Sequence, residues 1–240
     1  MPPLHRFFRH ELRTTNVESA RHFYAAVLGR EVADVSLLPA ESVARGARPH
    51  WLGHIAVADV EEAARAFVEH GATRLGPTRP QPGGGSAAIL RDPGGAVVAV
   101  ASPATTTTEA VVWQLLNTTA VERCLAAYGA LFGWQSTEAQ DLGALGTFQL
   151  LAWAPGEPAA ASMVDITGLP GRHPHWLFHF PVNDVDAAVA AVRRGGGLVA
   201  GTFDLPGGDR VAVCDDAQGA AFTVRQRALR HDGAPPGSAR

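Results

Sequence analysis

The chain writes one sentence twice. "PHWLGHIAVADV" runs from Pro49 to Val60 and "PHWLFHFPVNDV" from Pro174 to Val185, 125 residues further on. A second pair of matching stretches, "LRTTNVESARHFYAAVLG" from Leu12 and "LNTTAVERCLAAYGALFG" from Leu116, lies 104 residues apart. A duplicated chain must fold into two copies of one unit, so this repeat constrains the architecture more than any composition does. The two offsets differ by 21 residues, so the second copy carries about a hairpin of extra chain between its matching blocks. "GTFQLLAWAPGEPAAASMVDI" supplies it, reading as two short strands around a Pro-Gly turn. The first copy has "REVADVSLLPAESVARGAR" there and is shortened.

Each block is a short strand that runs straight into a helix. Thr15 with Glu18 and Thr119 with Glu122 read as capping boxes, and Asp59 with Glu62 and Asp184 open the other two helices. Gly29, Gly71, Gly133 and Gly195 close the four helices. After the second helix of each half come "SAAILRDPGGAVVAVA" and "RVAVCDDAQGAAFTVRQ", each a strand pair folded at a turn. Strand, helix and several strands thus recur four times, which makes the chain α+β with helices on one face of antiparallel-rich sheets. The expected organisation is a first half over 1–103, a polar linker over 104–110, a second half over 111–227 and a mobile tail over 228–240.

Period two fixes which strand residues face away from the helices. Phe178, Phe180 and Val182 form the apolar, helix-facing set, so His179 points the other way, and Ile55 and Val57 do the same for His54. Arg9, Glu11 and Arg13 share the outward face of the opening strand, and Trp113, Leu115 and Asn117 share that of its counterpart. A face lined by His, Arg, Glu, Asn and Trp suits a ligand cup better than a second core. Trp51 and Trp176 are expected to pack against the helices instead. "PGGGSA" over 82–87 has no lysine after it and opens no helix, so it reads as a loop and not a phosphate cradle.

Composition removes several function classes. The formal charge is −3 with no basic run, which argues against nucleic acid and anionic membrane as partners. All 20 basic residues are arginine, so lysine Schiff bases, a P-loop lysine and a pyridoxal phosphate anchor are excluded. Cys124 and Cys214 sit in a helix and a strand without zinc spacing and read as buried thiols. With no bilayer-length apolar run and no secretory segment at the start, the expected location is the cytoplasm.

These residues resemble the vicinal oxygen chelate superfamily, which includes glyoxalase I, extradiol dioxygenases and the fosfomycin- and bleomycin-resistance proteins. The resemblance covers about residues 5 to 227 and rests on "LRTTNVESARHFYAAVLG", "GHIAVADVEEA", "LRDPGGAVVAV" and their second-half counterparts. It implies tandem paired βαβββ motifs whose sheets curl into open cups, the first motif shortened. It also implies four metal-ligand points in members that use a metal. Here those points fall on Arg9 and Trp113, on His54 and His179, on Ala99 and Thr223, and in the truncated region or near Ala161 to Met163. One histidine per cup is too few for a divalent ion. Glu11 or, more distantly, Asp165 would have to supply a displaced carboxylate, and no metal or other cofactor is expected.

His54, His179 and Glu11 are therefore the acid–base candidates. Arg9 and Arg13 would hold an anionic group, Trp113, Phe148 and Trp153 would stack on a planar ligand, and Asn117 and Thr223 would add polar contacts. The blander alternative for the first set is that Arg9 and Glu11 pair with each other or with Arg13. If the halves pair crosswise, one cup gathers Arg9, Glu11, His179 and Thr223, and the other Trp113, Asn117, His54 and Ala99. The expected function is that of a monomer or homodimer acting on a small molecule: a metal-independent isomerase, cyclase or lyase of secondary metabolism. A small-molecule or antibiotic-binding protein without chemistry is the alternative, and a metal-dependent lyase or dioxygenase the third reading.

Overall fold

Each half builds its own sheet, with the strand that carries the repeated histidine near its middle. The computed structural model describes residues 2–81, 84–103 and 110–228; the tail past residue 228, most of the linker and Pro82 and Gly83 of the glycine-rich loop lie outside the described residues. In chain order the first half comprises β1 (Phe7–Thr14), α1 (Val17–Leu28), β2 (Val35–Leu37), α2 (Ala40–Ala44), β3 (His50–Ala56), α3 (Val60–Glu69), β4 (Thr73–Arg74), β5 (Arg79–Pro80), β6 (Ser86–Arg91) and β7 (Val97–Ala101). The second half comprises β8 (Trp113–Thr118), α4 (Val121–Phe132), β9 (Gln135–Asp141), a 3-10 turn (Gly143–Leu145), β10 (Thr147–Ala152) and β11 (Ala161–Asp165). It continues with β12 (His175–Pro181), α5 (Val185–Arg194), β13 (Leu198–Asp204), β14 (Arg210–Asp215) and β15 (Ala221–Gln226).

The first sheet runs β2-β1-β3-β7-β6-β4, with β5 also on β6, and the second runs β13-β14-β15-β12-β8-β11-β10-β9. The paired βαβββ architecture implied by the sequence is therefore present. The shortening has a clear location. β2 pairs β1 in parallel, Leu12 opposite Val35, as β11 pairs β8, Leu116 opposite Met163. Strands β9 and β10 extend the second sheet beyond that point, whereas the one-turn helix α2 follows β2 in the first.

Local signals explain the helices, with two corrections. Asp59 and Asp184 cap α3 and α5 by accepting from the amides of Glu62 and Ala187. The cap of α1 is Asn16, which accepts from Ser19, and not Thr15; α4 starts at Ala120 without a side-chain cap. In place of a Thr119 box, Thr118 Oγ1 accepts from the Ala120 amide at 3.1 Å. Asn16 is the stronger capping residue, and the Thr15 hydroxyl donates instead to Gln218 Oε1 at 2.8 Å. Gly29 and Gly133 end α1 and α4 in the left-handed conformation, φ 68° and 73°.

The halves join through their helix-facing surfaces. α1 packs against α5 and α3 against α4, and one continuous core spans both sheets. β3 and β12 meet at Gly53, where an added Cβ would stand 2.7 Å from the Phe178 ring and 2.5 Å from that of Phe7. Gly53 and Phe178 are matched positions of the repeat, so one copy surrenders its side chain to make room for the other's. Trp51 and Trp176 do pack inward: each donates through Nε1 to a tyrosine of its own half, Tyr24 at 2.9 Å and Tyr128 at 3.1 Å. Both cysteines are buried.

Candidate functional site: two unequal cups

Strand pairing decides which residues share a cup, because directly opposed residues lie on the same face of a sheet. In the first sheet Arg9 pairs His54, His54 pairs Ala99 and Ala99 pairs Ile89. In the second, Trp113 pairs His179, His179 pairs Thr223 and Thr223 pairs Val213. The crosswise arrangement is thus overturned: Glu11 and His179 belong to different sheets, and each cup is made within one half. The cause lies in β1 and β8, which add directly to the edge of β3 and β12 of their own half.

The first cup is polar, and its charges are spent on one another. Arg9 makes a two-pronged ion pair with Asp34, its Nη2 donating to Oδ1 at 2.8 Å, and its Nη1 donates to Gln81 Oε1 at 2.6 Å. Glu11 accepts from Ser36 Oγ at 2.5 Å, from Arg13 Nη2 at 3.2 Å and from His54 Nε2 at 3.2 Å. Burial would raise the Glu11 carboxyl, but the hydrogen bond from His54 and the charge of Arg13 outweigh it and hold the group well below the usual carboxylate range. Burial likewise lowers His54 against the pull of Glu11, so the ring is neutral and donates through Nε2. The bland alternative for Arg9 and Glu11 holds in part: Glu11 does pair with Arg13, and Arg9 finds Asp34. A cavity of about 540 Å³ opens on this side, bordered by Arg13, Ser36, Arg45, Arg79 and Gln81, with neither Glu11 nor His54 on its wall.

The second cup replaces those charges with apolar surface. Positions 104 residues after Arg9, Glu11 and Arg13 are Trp113, Leu115 and Asn117, and all three line a cavity of about 220 Å³. Phe148, Leu177 and Phe203 complete its apolar wall. Trp113 is fixed by donation from Nε1 to Ser162 Oγ at 2.9 Å, and the Arg225 guanidinium lies 5.3 Å from the centre of its ring. Arg225 is itself held by Asp209, Nε to Oδ2 at 2.7 Å. Among the described residues no carboxylate borders this cavity, whereas Arg172 and Arg225 both do. At its floor stands His179, 6 % exposed, which burial and the nearby charge of Arg225 lower to a pKa of about 3, so that the ring is neutral.

Of the stacking candidates, Trp113 and Phe148 line the second cup, but Trp153 does not. It lies one residue past the end of β10 on the helix side, packed on Phe7 and Trp134 with ring centres 6.0 and 4.5 Å away. Period two puts Phe148 and Leu150 in the cup and turns Leu151 and Trp153 into the core. Asp165 is exposed and accepts from the Thr167 amide at 2.8 Å, outside both cups. Arg225, Ser162 and Asp209 were missed from the sequence. Arg225 was accessible to the same parity argument, two residues past Thr223; Ser162 and Asp209 needed the fold.

The donor set does not fit a divalent cation. The row that would hold one offers an imidazole beside a guanidinium and a methyl in the first cup, and an imidazole beside an indole and a hydroxyl in the second. Among the described residues no cluster of three His, Cys, Asp or Glu side chains is placed to bind a metal. Nor is any helix there long and apolar enough to cross a membrane.

No family model matches the chain. The mycobacterial protein named "Putative glyoxylase CFP32", from Mycobacterium bovis and Mycobacterium tuberculosis, is 27 % identical over 89 % of this chain and 92 % of its own length. The anthracycline biosynthesis protein DauV of Streptomyces sp. strain C5 is 32 % identical over 50 % of this chain and 48 % of its own. Among solved structures, the Mn(II)-bound glyoxalase of Novosphingobium aromaticivorans superposes with a TM-score of 0.60 at 12 % identity, over 93 % of this chain and 82 % of that one. The 2,3-dioxygenase LapB of Pseudomonas sp. KL28 gives 0.61 at 14 %, over 96 % and 95 %. Two paired βαβββ sheets with cups on their outer faces define the vicinal oxygen chelate architecture. The chain has that fold, shared with a glyoxalase and a 2,3-dioxygenase, and is similar in sequence to a protein named "Putative glyoxylase".

Proposed function

We propose that the protein binds a planar, largely apolar aromatic metabolite in the second-half cup, without a metal. One observation carries this reading: where the first half places Arg9, Glu11 and Arg13, the second places Trp113, Leu115 and Asn117 around a cavity that no carboxylate of the described residues borders. An indole ring fixed by Ser162 on one side and faced by Arg225 offers a stacking surface that loses little freedom on binding. The first cup, though its cavity is larger, has Arg9 paired with Asp34 and Glu11 paired with Arg13 and His54, and its cavity is bordered by charged side chains of both signs, Arg13, Arg45 and Arg79 with Glu41. The relationship to a Streptomyces anthracycline biosynthesis protein supports secondary metabolism and a polycyclic aromatic ligand.

A second reading, isomerisation, cyclisation or elimination of the bound compound, has one feature in its favour: an imidazole facing the cavity. Acid–base work at that imidazole lacks the expected partner, since Glu11 lies in the other sheet, and a ring that burial keeps neutral is a weak base.

Fluorescence titration of the whole chain with 1-naphthol, followed by chromatography of the recovered compound, tests the proposal. Saturable quenching that Trp113→Ala weakens at least tenfold, with 1-naphthol recovered unchanged, is expected. Absence of saturable binding, or binding indifferent to Trp113, would refute it.

A further inference from the structure

The row Trp113–His179–Thr223–Val213 crosses four adjacent strands on the cup face. Of its two outer members Val213 is apolar and Trp113 already donates its Nε1 to Ser162, so neither pairs with the two polar members between. Neither ring nitrogen of His179 nor the hydroxyl of Thr223 has a hydrogen-bond partner among the described residues. Thr223 is fully buried and His179 nearly so, and His179 borders the cavity. Buried polar atoms of native proteins are nearly always paired, and leaving three unpaired in one place is costly. Elsewhere among the described residues His10, His54 and Asp216 each leave one buried side-chain atom without a partner, whereas three such atoms gather on this one neighbouring pair. The gathering therefore marks a place where a ligand atom completes the set.

We infer that an aromatic hydroxyl of the ligand is held at this floor, donating to a ring nitrogen of His179 and accepting from Thr223 Oγ1, while its ring lies against Trp113. This rests on the aromatic-binding reading of the cup and specifies the polar group that the ligand carries. The chemistry is matched on both sides. A neutral imidazole brings one acceptor and one donor, and a threonine hydroxyl brings one of each. A hydroxyl on the ligand both gives and takes a hydrogen bond at one atom. Arg225, held over Trp113 by Asp209, adds a fixed positive charge nearby that favours the oxygen of a phenol over an alkyl ether.

The position gives the inference its interest. In the first half the same row reads Arg9–His54–Ala99–Ile89, where the histidine is already engaged by Glu11 and a methyl stands in place of the threonine hydroxyl. The hydroxyl-binding pair thus belongs to one half of the duplicated fold and not to the other.

The test compares 1-naphthol with 1-methoxynaphthalene, which keeps the rings and loses the donor, by titration of the wild type, Thr223→Val and His179→Leu. In the wild type 1-naphthol is expected to bind at least tenfold more tightly than its methyl ether, and each substitution to reduce that ratio to about threefold or less while affinity for the ether stays within about threefold. Thr223→Val preserves shape, and without ligand it is expected to melt no lower than the wild type, because it removes an unpaired buried hydroxyl. Equal affinities for the two probes in the wild type, or a ratio that survives both substitutions, would overturn the hydroxyl assignment while leaving the cup a site for aromatics. Failure of both probes to bind would overturn both. A large loss of ligand-free stability in Thr223→Val would show that the hydroxyl serves the fold and would equally overturn the assignment.

Discussion

Tyr128, in the second half, donates its hydroxyl to Asp92 of the first half at 3.0 Å while accepting from Trp176 at 3.1 Å. Asp92 belongs to the β6–β7 turn, where its other oxygen accepts from the amides of Gly94 and Ala96 at 2.9 Å. The repeat sets up the mirror arrangement: Tyr24 accepts from Trp51 and lies against Asp216 of the β14–β15 turn, which accepts from the amides of Gln218 and Ala220. Each half thus presents a tyrosine to the other's turn, which is why "PHWL" recurs: its tryptophan orients the tyrosine at the join.

Tyr128→Phe is expected to lower unfolding stability by about 1–3 kcal/mol, the usual cost of leaving buried partners unpaired. Gly94→Ala is expected to cost more, since its Cβ would stand 2.7 Å from Cys124 Sγ and closer still to Thr118 Oγ1. Denaturant melts read both, and one cooperative transition for the whole chain should persist in Tyr128→Phe.

Glu11→Gln keeps the shape of the first cup but removes the charge that Arg13 and His54 face. The expected outcome is a loss of stability on the order of 1–3 kcal/mol, with 1-naphthol affinity changed by less than about twofold. Denaturation and titration of the same preparation separate the two effects. A tenfold loss of binding at unchanged stability would move the site to the first cup.

Stability should fall on mild acidification, before carboxylates titrate. Burial lowers His10 and His179 to about 3 and His175 to about 4, from 6.5 in the unfolded chain. Below pH 6.5 the unfolded state takes up protons that these folded sites refuse, so each histidine contributes stability above that pH and loses it as the pH falls toward its folded value. The slope approaches about 1.4 kcal/mol per pH unit for each histidine. Asp92 and Asp216, raised by burial, act in the opposite sense, since the folded chain takes up their protons more readily than the unfolded one. Denaturant midpoints from pH 7.5 to 5 measure it, and a flat profile would contradict the burial of these rings.

Mn(II), Ni(II) or Zn(II) should leave the melting temperature unchanged, because a ligand that binds the folded state raises it and neither row supplies enough donors. A rise abolished by His54→Ala or His179→Ala would reverse this expectation.

Much of the fold was legible because repetition and period two act locally. The offsets of 104 and 125 residues located both motifs, and strand parity turned His54, His179, Trp113 and Asn117 toward the cups. What stayed hidden depends on contacts between distant segments. The pairing of β1 with β3 separated Glu11 from His179, and Asp34, 25 residues from Arg9, neutralised it. Trp153 was misplaced because a stacking role was assigned by residue type where parity with Leu151 turned it inward.

Calorimetric titration of 1-naphthol into the wild type, Leu150→Trp and Arg79→Trp tests the central claim most directly. Leu150 borders the second cavity and Arg79 the first. An indole at position 150 should fill the site and weaken binding at least tenfold, whereas Arg79→Trp should leave affinity within about twofold, at one molecule bound per chain. Loss of binding in Arg79→Trp with retention in Leu150→Trp would contradict the account.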